Sequence, residues 1–531
     1  MNKIFFFVVT VILICLLNSC GQTNSTVPAK VERDTTINLV NAYSELFFDS
    51  LHLENYLKKN KWHDSLKKAI RNFYNERNFQ YAWFNNEGFT EQAFHFQNLL
   101  NEYISYSGDS SVYNPFVKNL LDSTENAANP LVLPDSVRFV AEVNMSSSFL
   151  RYSRRAYQGN IPLHQRDLNW FIPRKRINPV ALLDSFIKTA DRKDIHEPVN
   201  EQYQLLKQHL LRYYKMQRLG NFPIIAKPVK SYRLGDTTAS ISSLKKRLIA
   251  AGDYTSQDTT PFFSTELLSS VKKFQQRYGL EQDGVVGGNT LRYLNEPIDK
   301  RIKQILVNME RMRWIPEQPK GDFILVNIPQ FRLTVFENGK PAFGMKIIVG
   351  TSQHKTVIFT GSLKFVVFSP YWNVPPGILK NEVLPAIRRS SSYLERNHME
   401  WHGNTVRQKP GPWNALGLVK FLFPNSYNIY LHDTPTKGLF EQEKRTFSHG
   451  CIRIEQPQKM AEWVLRKQPS WTKERIVAAM NAGNELFVNV NDPVPVFVGY
   501  FTAWVDNQGQ INFRDDVYGH DKKLAAHLFT E

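Results

Sequence analysis

Cysteine is nearly missing from this chain. Three occur in 531 residues, Cys15, Cys20 and Cys451, so neither a disulfide framework nor a multi-cysteine zinc site can be built. There is no His-Glu-x-x-His, no glycine-rich phosphate loop and no dinucleotide fingerprint. Metal hydrolysis and nucleotide chemistry are left without recognisable ligands, and no metal or cofactor is expected. Long apolar runs are equally scarce. The main one, Ile4 to Leu17, is fourteen residues, too short to span a bilayer. Acidic charge falls behind basic, 49 against 66, for a net +17. Such a surface suits nucleic acid, anionic lipid or a carboxylate-rich polymer, and the sign alone does not choose among them.

The amino terminus chooses a compartment. Lys3 followed by the apolar run and then Asn18-Ser19-Cys20 has the layout of a secretory signal. Leu17, two small or polar residues and a cysteine resemble the bacterial lipoprotein processing box. That resemblance implies cleavage before Cys20, acylation of its thiol and a lipid anchor on the periplasmic side of the cell envelope; a plain signal peptide is the alternative. Either way the mature chain leaves the cytoplasm, which counts against nucleic acid as a partner. Cys451 is then the one thiol left, in a compartment where paired cysteines are normally oxidised. It is a buried bystander or a reactive group, and its neighbours decide which.

What is present falls into segments. Residues 1–19 read as the signal and 20–39 as a polar tether. From 40 to 232 helical periodicity dominates and no catalytic constellation appears, which reads as a scaffold. Residues 233–297 hold two capped helices, with Ser240 and Ser264 as N-caps and Gly252 and Gly279 as stops. Asp283-Gly284-Val285-Val286-Gly287-Gly288-Asn289-Thr290 follows. This resembles the small three-helix peptidoglycan-binding module with its D-G-x-x-G-x-x-T signature, although the same glycines and Thr290 serve equally to shape a turn. Over 298–313 an Ile and Met stripe predicts an amphipathic helix. Beyond it the period becomes strand-like at 323–328, 331–336, 345–349, 363–369 and 427–432, with Asn338-Gly339 as a hairpin turn. The catalytic region is expected over 298–495, interrupted by a lid-like insert at about 373–412, with 496–531 as a C-terminal extension. The fold class expected is α+β: a helical scaffold, a three-helix module and a β-rich mixed-sheet sandwich with an inserted capping segment.

The chemistry sits in Ile429-Tyr430-Leu431-His432-Asp433-Thr434 and, 19 residues after the histidine, Ser448-His449-Gly450-Cys451-Ile452-Arg453. A thiol near its free pKa of about 8.5 is a few per cent thiolate at neutral pH, and an imidazole beside it can take its proton and later return it. Apolar residues flanking His432 and Cys451 are consistent with two adjacent strands that bring the pair together. Gly450 allows close approach of substrate, and amides around Gly450 and Cys451 could serve as an oxyanion hole. Arg453 offers a charge for a carboxylate or a structural ion pair. His449, two residues before the thiol, is a rival base. Ser448 is a hydrogen-bond partner or a turn residue, and Tyr430 lines the cleft or the core.

This run resembles the catalytic motif of the L,D-transpeptidases, a histidine some 14–19 residues before S-[HS]-G-C-x-R. Pro410 to Gly417, His432 to Pro435, Asn308 to Arg311 and Tyr371 to Pro375 look like the large periplasmic subclass, with its scaffold, embedded module and capped catalytic domain. Thr356-Val357 and Ser369 depart from its usual Thr-Pro and Asn. The resemblance implies that Cys451 attacks the amide between diaminopimelate and the terminal D-Ala of a tetrapeptide stem. It further implies that His432 acts as base and then acid, oriented by a backbone carbonyl near Asp433, and that a second diaminopimelate amine receives the acyl group in a 3→3 cross-link. Carbapenem sensitivity is implied too. The other readings are an L,D-carboxypeptidase using the same pair and a non-catalytic peptidoglycan-binding lipoprotein.

Overall fold

The computed structural model describes residues 31–40, 44–125, 133–159, 165–188, 199–220, 224–228, 230–316 and 319–529. Cys20 and the signal segment lie outside them. No helix of the described residues is long and apolar enough to cross a membrane. The chain divides into two compact units, one of residues 1–98, 113–151 and 178–195, the other of 99–112, 152–177 and 196–531, so the helical stretch 40–232 is shared between them.

The first unit is helical. Helices α1 (Ser50–Lys59) and α2 (Asp64–Asn75) start on the side-chain caps of Asp49 and His63. Helix α3 (Asp135–Ser153) is buried on every face over residues 141–150. A helix buried all round must be the centre of its unit, and Ser146, Ser147 and Ser148 keep it slim enough for neighbours to pack. Around it the rings of Trp83, Phe96, Phe149 and Phe186 meet at 5.0–6.4 Å.

The second unit contains helix α4 (Glu201–Arg218), the module helices α5 (Ala239–Ala251), α6 (Thr265–Tyr278) and α7 (Gly288–Leu294), and α8 (Ile298–Trp314). Ser264 caps α6 by accepting from the Leu267 amide, and Gly252 and Gly279 close α5 and α6 in the left-handed conformation. Ser240 is not a cap: α5 starts a residue earlier, after Thr238, whose side chain makes no capping bond. The turn after α6 is organised by Gln275, whose amide group donates to Asp283 Oδ1 (2.6 Å) and the Val285 carbonyl (3.1 Å) while its Oε1 accepts from the Gly284 amide (2.8 Å).

The catalytic region is one mixed sheet of nine strands: β1 (Phe323–Asn327), β2 (Arg332–Glu337), β3 (Lys340–Gly350), β4 (Phe359–Phe368), β8 (Val419–Leu422), β9 (Leu431–His432), β10 (Thr446–Ser448), β11 (Ile452–Ile454) and β12 (Leu486–Gly499). Their order is β10-β3-β11-β9-β8-β4-β12-β1-β2. The first half of β3 pairs with β2 and its second half with β11, so the two ends of the sheet meet through one strand. Asn338 and Gly339 both have positive φ, as a tight hairpin turn requires. The insert is a small sheet of β5 (Trp372–Asn373), β7 (Thr405–Gln408) and β6 (Met399–His402) with helical residues 376–389, around its own core of Val374, Val383 and Val406. The C-terminal extension forms a hairpin, β13 (Ala503–Val505) and β14 (Ile511–Phe513), and helix α9 (His520–Leu528).

The strand expected over 427–432 is only two residues long. Asn425 holds the preceding residues in a turn, its side chain accepting from the amides of Tyr427 (3.0 Å) and Ile429 (3.2 Å), and Asn428 has positive φ.

Candidate active site

Strands β9 and β11 run parallel, with Leu431 opposite Ile452 and His432 opposite Arg453. Leu431 and Ile452 are fully buried in the core. Alternation therefore puts Tyr430, His432, Cys451 and Arg453 on the other face. The amide of Ile452 donates to the Tyr430 carbonyl (3.1 Å), which fixes the Cys451 loop beside Tyr430.

His432 is buried, and its Nδ1 lies 2.5 Å from the carbonyl oxygen of Asp433. A carbonyl can only accept, so Nδ1 carries the proton and Nε2 keeps its lone pair. Burial, and then the positive charge of Arg453, push this imidazole down to about 3. The Asp433 carboxylate faces away, accepting from the amides of Leu418 (2.9 Å) and Thr434 (2.7 Å) and pairing with Lys437. Gly417 leaves room for it: a Cβ there would stand 2.3 Å from that carboxylate.

The Cys451 thiol points to the carbonyl of Asn428 (3.5 Å). It makes no hydrogen bond with His432, and burial pushes its pKa up. Ser448 shapes the loop in both of its expected capacities, donating to the Cys451 carbonyl (2.5 Å) and accepting from the Gly450 amide (3.1 Å). The Gly450 amide is therefore spent, and of the amides considered for an oxyanion hole the one at Cys451 remains without a partner among the described residues. Gly450 has φ near 115°, a conformation open to glycine. Arg453 reaches Thr436 Oγ1 with Nη1 (3.4 Å), while its Nε is buried without a hydrogen-bond partner. Tyr430 meets His432 edge to face, with ring centroids 5.7 Å apart, and burial, then the neighbouring Cys451, raise its pKa.

His449 is turned outward. Its Nε2 lies 3.4 Å from Glu382 on the insert, and its ring lies 5.0 Å from that of His354. The insert is tied down at its root by Asn414, fully buried, whose amide donates to the carbonyls of Pro370 (3.0 Å) and Lys409 (2.9 Å).

Two residues to which the sequence reading gave no part in the site complete the loop. Thr356 Oγ1 donates to the Gly450 carbonyl (2.8 Å) and accepts from the Gly350 amide (2.9 Å). Tyr518, from the C-terminal extension, donates to the Gly350 carbonyl (2.6 Å) and accepts from the Thr356 amide (3.3 Å). No local signal in the sequence gives either this role, because Gly450 is 94 residues from Thr356, and Tyr518 is more than 160 residues from both of its partners here.

Comparison with known proteins defines the class. Residues 321–496 match the family model described as an L,D-transpeptidase catalytic domain, residues 68–210 a scaffold domain, and residues 237–294 a domain described as "Putative peptidoglycan binding domain". Residues 321–496 thus resemble an L,D-transpeptidase catalytic domain, and the segments before them resemble a scaffold and a peptidoglycan-binding domain, in a chain of mixed α+β fold. A Haemophilus influenzae protein named "Putative L,D-transpeptidase" is 31% identical over 242 residues, 42% of this chain and 49% of the relative. The match therefore spans about half of that relative's length. Crystal structures of L,D-transpeptidases from Stackebrandtia nassauensis and Xylanimonas cellulosilytica are 18% and 15% identical. Each covers 52% of this chain, with 98% and 100% of its own chain and TM-scores of 0.22 and 0.18. Overlaps of that size carry no structural argument.

Proposed function

We propose that the protein is a peptidoglycan L,D-transpeptidase that joins two diaminopimelate residues in a 3→3 cross-link through a thioester on Cys451. The observation that carries the reading is the tautomer of His432: with Nδ1–H held by the Asp433 carbonyl, Nε2 is an acceptor on the same face of the sheet as the thiol. On substrate binding the thiol leaves the Asn428 carbonyl and gives its proton to Nε2. The sulfur then attacks the carbonyl carbon between diaminopimelate and D-Ala. The oxyanion meets the free amide of Cys451. As the C–N bond breaks, the departing D-Ala amine takes the proton from His432, leaving a thioester. The amine of a second diaminopimelate attacks it, His432 accepts the amine's proton, and collapse returns the thiol.

Arg453, with an unpartnered buried Nε beside both groups, suits the stem's carboxylate. The insert, whose Glu382 lies 3.4 Å from His449, suits a lid that keeps water from the thioester. A lipid anchor at Cys20 would hold the enzyme on the periplasmic side of a membrane. Incubating the purified full chain in detergent with disaccharide-tetrapeptide and weighing the products tests the reading. A 3→3 dimer that disappears in Cys451→Ala is expected. Tripeptide alone, still dependent on Cys451, would make the enzyme a carboxypeptidase, and absence of both products and of any thioester adduct would leave a binding protein.

A further inference from the structure

We infer that a cavity remote from Cys451 is a second peptidoglycan subsite, in which Arg332, Arg445 and Arg514 hold the carboxylates of a stem peptide. The inference rests on the peptidoglycan reading above but not on the chemistry at Cys451. The cavity measures about 1290 Å³ and is walled by the module, α8, the turn around Phe331 and the C-terminal hairpin.

Its charges do not balance. Among the described residues the six acids in its wall are engaged: Asp515 pairs with Arg292 (3.1 Å), Asp521 with Arg311 (2.5 Å) and Glu296 with Lys300 (2.6 Å), while Asp516 accepts from the Tyr500 hydroxyl (2.6 Å), Glu443 from the Asn289 side chain (3.4 Å), and Asp506 from the Gln508 and Gln510 amides (3.0 Å each). The three arginines are in no ion pair. Arg445 donates only to the backbone carbonyls of Ile347, Gln442 and Phe331, and Arg514 to those of Arg277 and Phe513. Their mutual repulsion is felt. Burial, then Arg445 and Arg332, hold Arg514 down to about 10 against the pull of Tyr293 and Asp515, and burial lowers Arg445, with a smaller push from Arg332, against the attraction of Glu455 and Glu441.

The chain makes space for these groups. A Cβ at Gly344 would lie 2.6 Å from the Arg332 guanidinium, and Gly344 has no positive φ to explain it otherwise. Arg514 also lies over the ring of Trp504, its guanidinium carbon 4.9 Å from the centroid, which fixes its plane for a planar anion. Unpaired guanidinium groups converging on a cavity call for a ligand with several carboxylates, and a stem peptide is one. Strand β10 links the two sites. Arg445 precedes it and Cys451 follows six residues later, within about 20 Å at the rise of an extended strand. A strand held here would keep its other stems within reach of the thiol.

Co-sedimentation of the full chain with isolated sacculi tests this, in a Cys451→Ala background so that turnover plays no part. Arg332 is exposed and, among the described residues, its side chain is in no ion pair or hydrogen bond while its backbone stays in the ladder, so Arg332→Glu and Arg332→Gln should both keep the melting temperature. Arg332→Glu is expected to weaken sacculus binding about tenfold, and amidating the sacculus carboxylates to weaken the parent as much. Lys364→Glu, an exposed charge reversal on β4, should stay within about twofold. Binding by Arg332→Glu within about twofold of the parent, or indifference to amidation, would overturn the subsite. Failure of the parent to bind sacculi would overturn it as well. A missing 3→3 product in the earlier experiment would sink the transpeptidase reading without touching this result.

Discussion

Cys451 and His432 occupy an environment that keeps both neutral. Burial raises the thiol and lowers the imidazole, and Arg453 pushes the imidazole down further. A resting thiolate–imidazolium pair would need the opposite shifts, so in the proposed mechanism proton transfer waits for the substrate. Iodoacetamide alkylation of Cys451 should therefore climb with pH into the region above 9. A plateau reached near pH 6–7 would show a preformed ion pair instead. His520 raises a related point about stability. It is buried with neither ring nitrogen hydrogen-bonded, and burial, then Arg311 and Lys355, hold it down to about 3. The unfolded chain protonates such a histidine near 6.5 while the native state does not. Stability is therefore full above that pH and is lost as pH falls toward 3, at about 1.4 kcal/mol per unit for each such group. Urea unfolding between pH 7 and 5 should show this loss, and His520→Phe, which keeps an aromatic edge against Tyr500 and Tyr518, should reduce the slope. The candidate pair could be singled out in the sequence because a lone thiol with Gly before it and Arg two after leaves few other uses. Thr356 was visible only as a departure from a pattern, and Asn428 and His520 not at all, since their partners are set by the fold.

At the level of elements, the centre of the first unit depends on one carboxylate. Glu142 on α3 accepts from the Tyr74 hydroxyl (2.8 Å), the Ala82 amide (2.7 Å) and the Trp83 amide (3.0 Å), and is fully buried. All three partners are donors here, so a side-chain amide cannot replace it: one of its two ends must present N–H to N–H or to O–H. Glu142→Gln is expected to destabilise the unit by about 1–3 kcal/mol, seen as a lower denaturant midpoint in tryptophan fluorescence. A midpoint unchanged within error would mean that the hydroxyl and amides find other acceptors. Periodicity located α8 to within a residue of its end, because a continuous Ile and Met stripe is a local signal. It overextended the strand before His432, where Asn425 diverts the backbone through side-chain bonds that resemble no repeat. It misplaced the cap of α5 because Thr238, Ser240 and Ser242 offer competing starts, and burial of Ile241, Leu244 and Leu248 decides among them.

Across the second unit as a whole, the C-terminal extension is the tie that neither composition nor motif announced. Its hairpin is bonded to α4 through Gln202 and Val505 (2.9 Å in both directions), and to α8 through Gln304 and Asn308, which reach Thr502. Phe501 and Asn327 join it to β1 by two further bonds of 2.9 and 3.1 Å. From there Tyr500 accepts from the Tyr518 amide (2.9 Å), and Tyr518 reaches Gly350 and Thr356, one hydrogen bond short of the Gly450 carbonyl. Two variants separate holding the unit together from holding the loop. Removing residues 500–531 uncovers the apolar surface under Val505, Ile511 and Phe513 and should lower the melting temperature steeply. Tyr518→Phe keeps that burial and deletes one hydroxyl, so stability should fall by only about 1–2 kcal/mol. Because Thr356 then loses the partner of its amide, Tyr518→Phe should still lower kcat for cross-linking several-fold, about 1 kcal/mol of barrier, with KM little changed. Equal losses of kcat and stability in the two variants would reduce Tyr518 to a packing residue. A kcat defect in Tyr518→Phe out of proportion to its melting shift is the outcome expected if the extension positions the nucleophile.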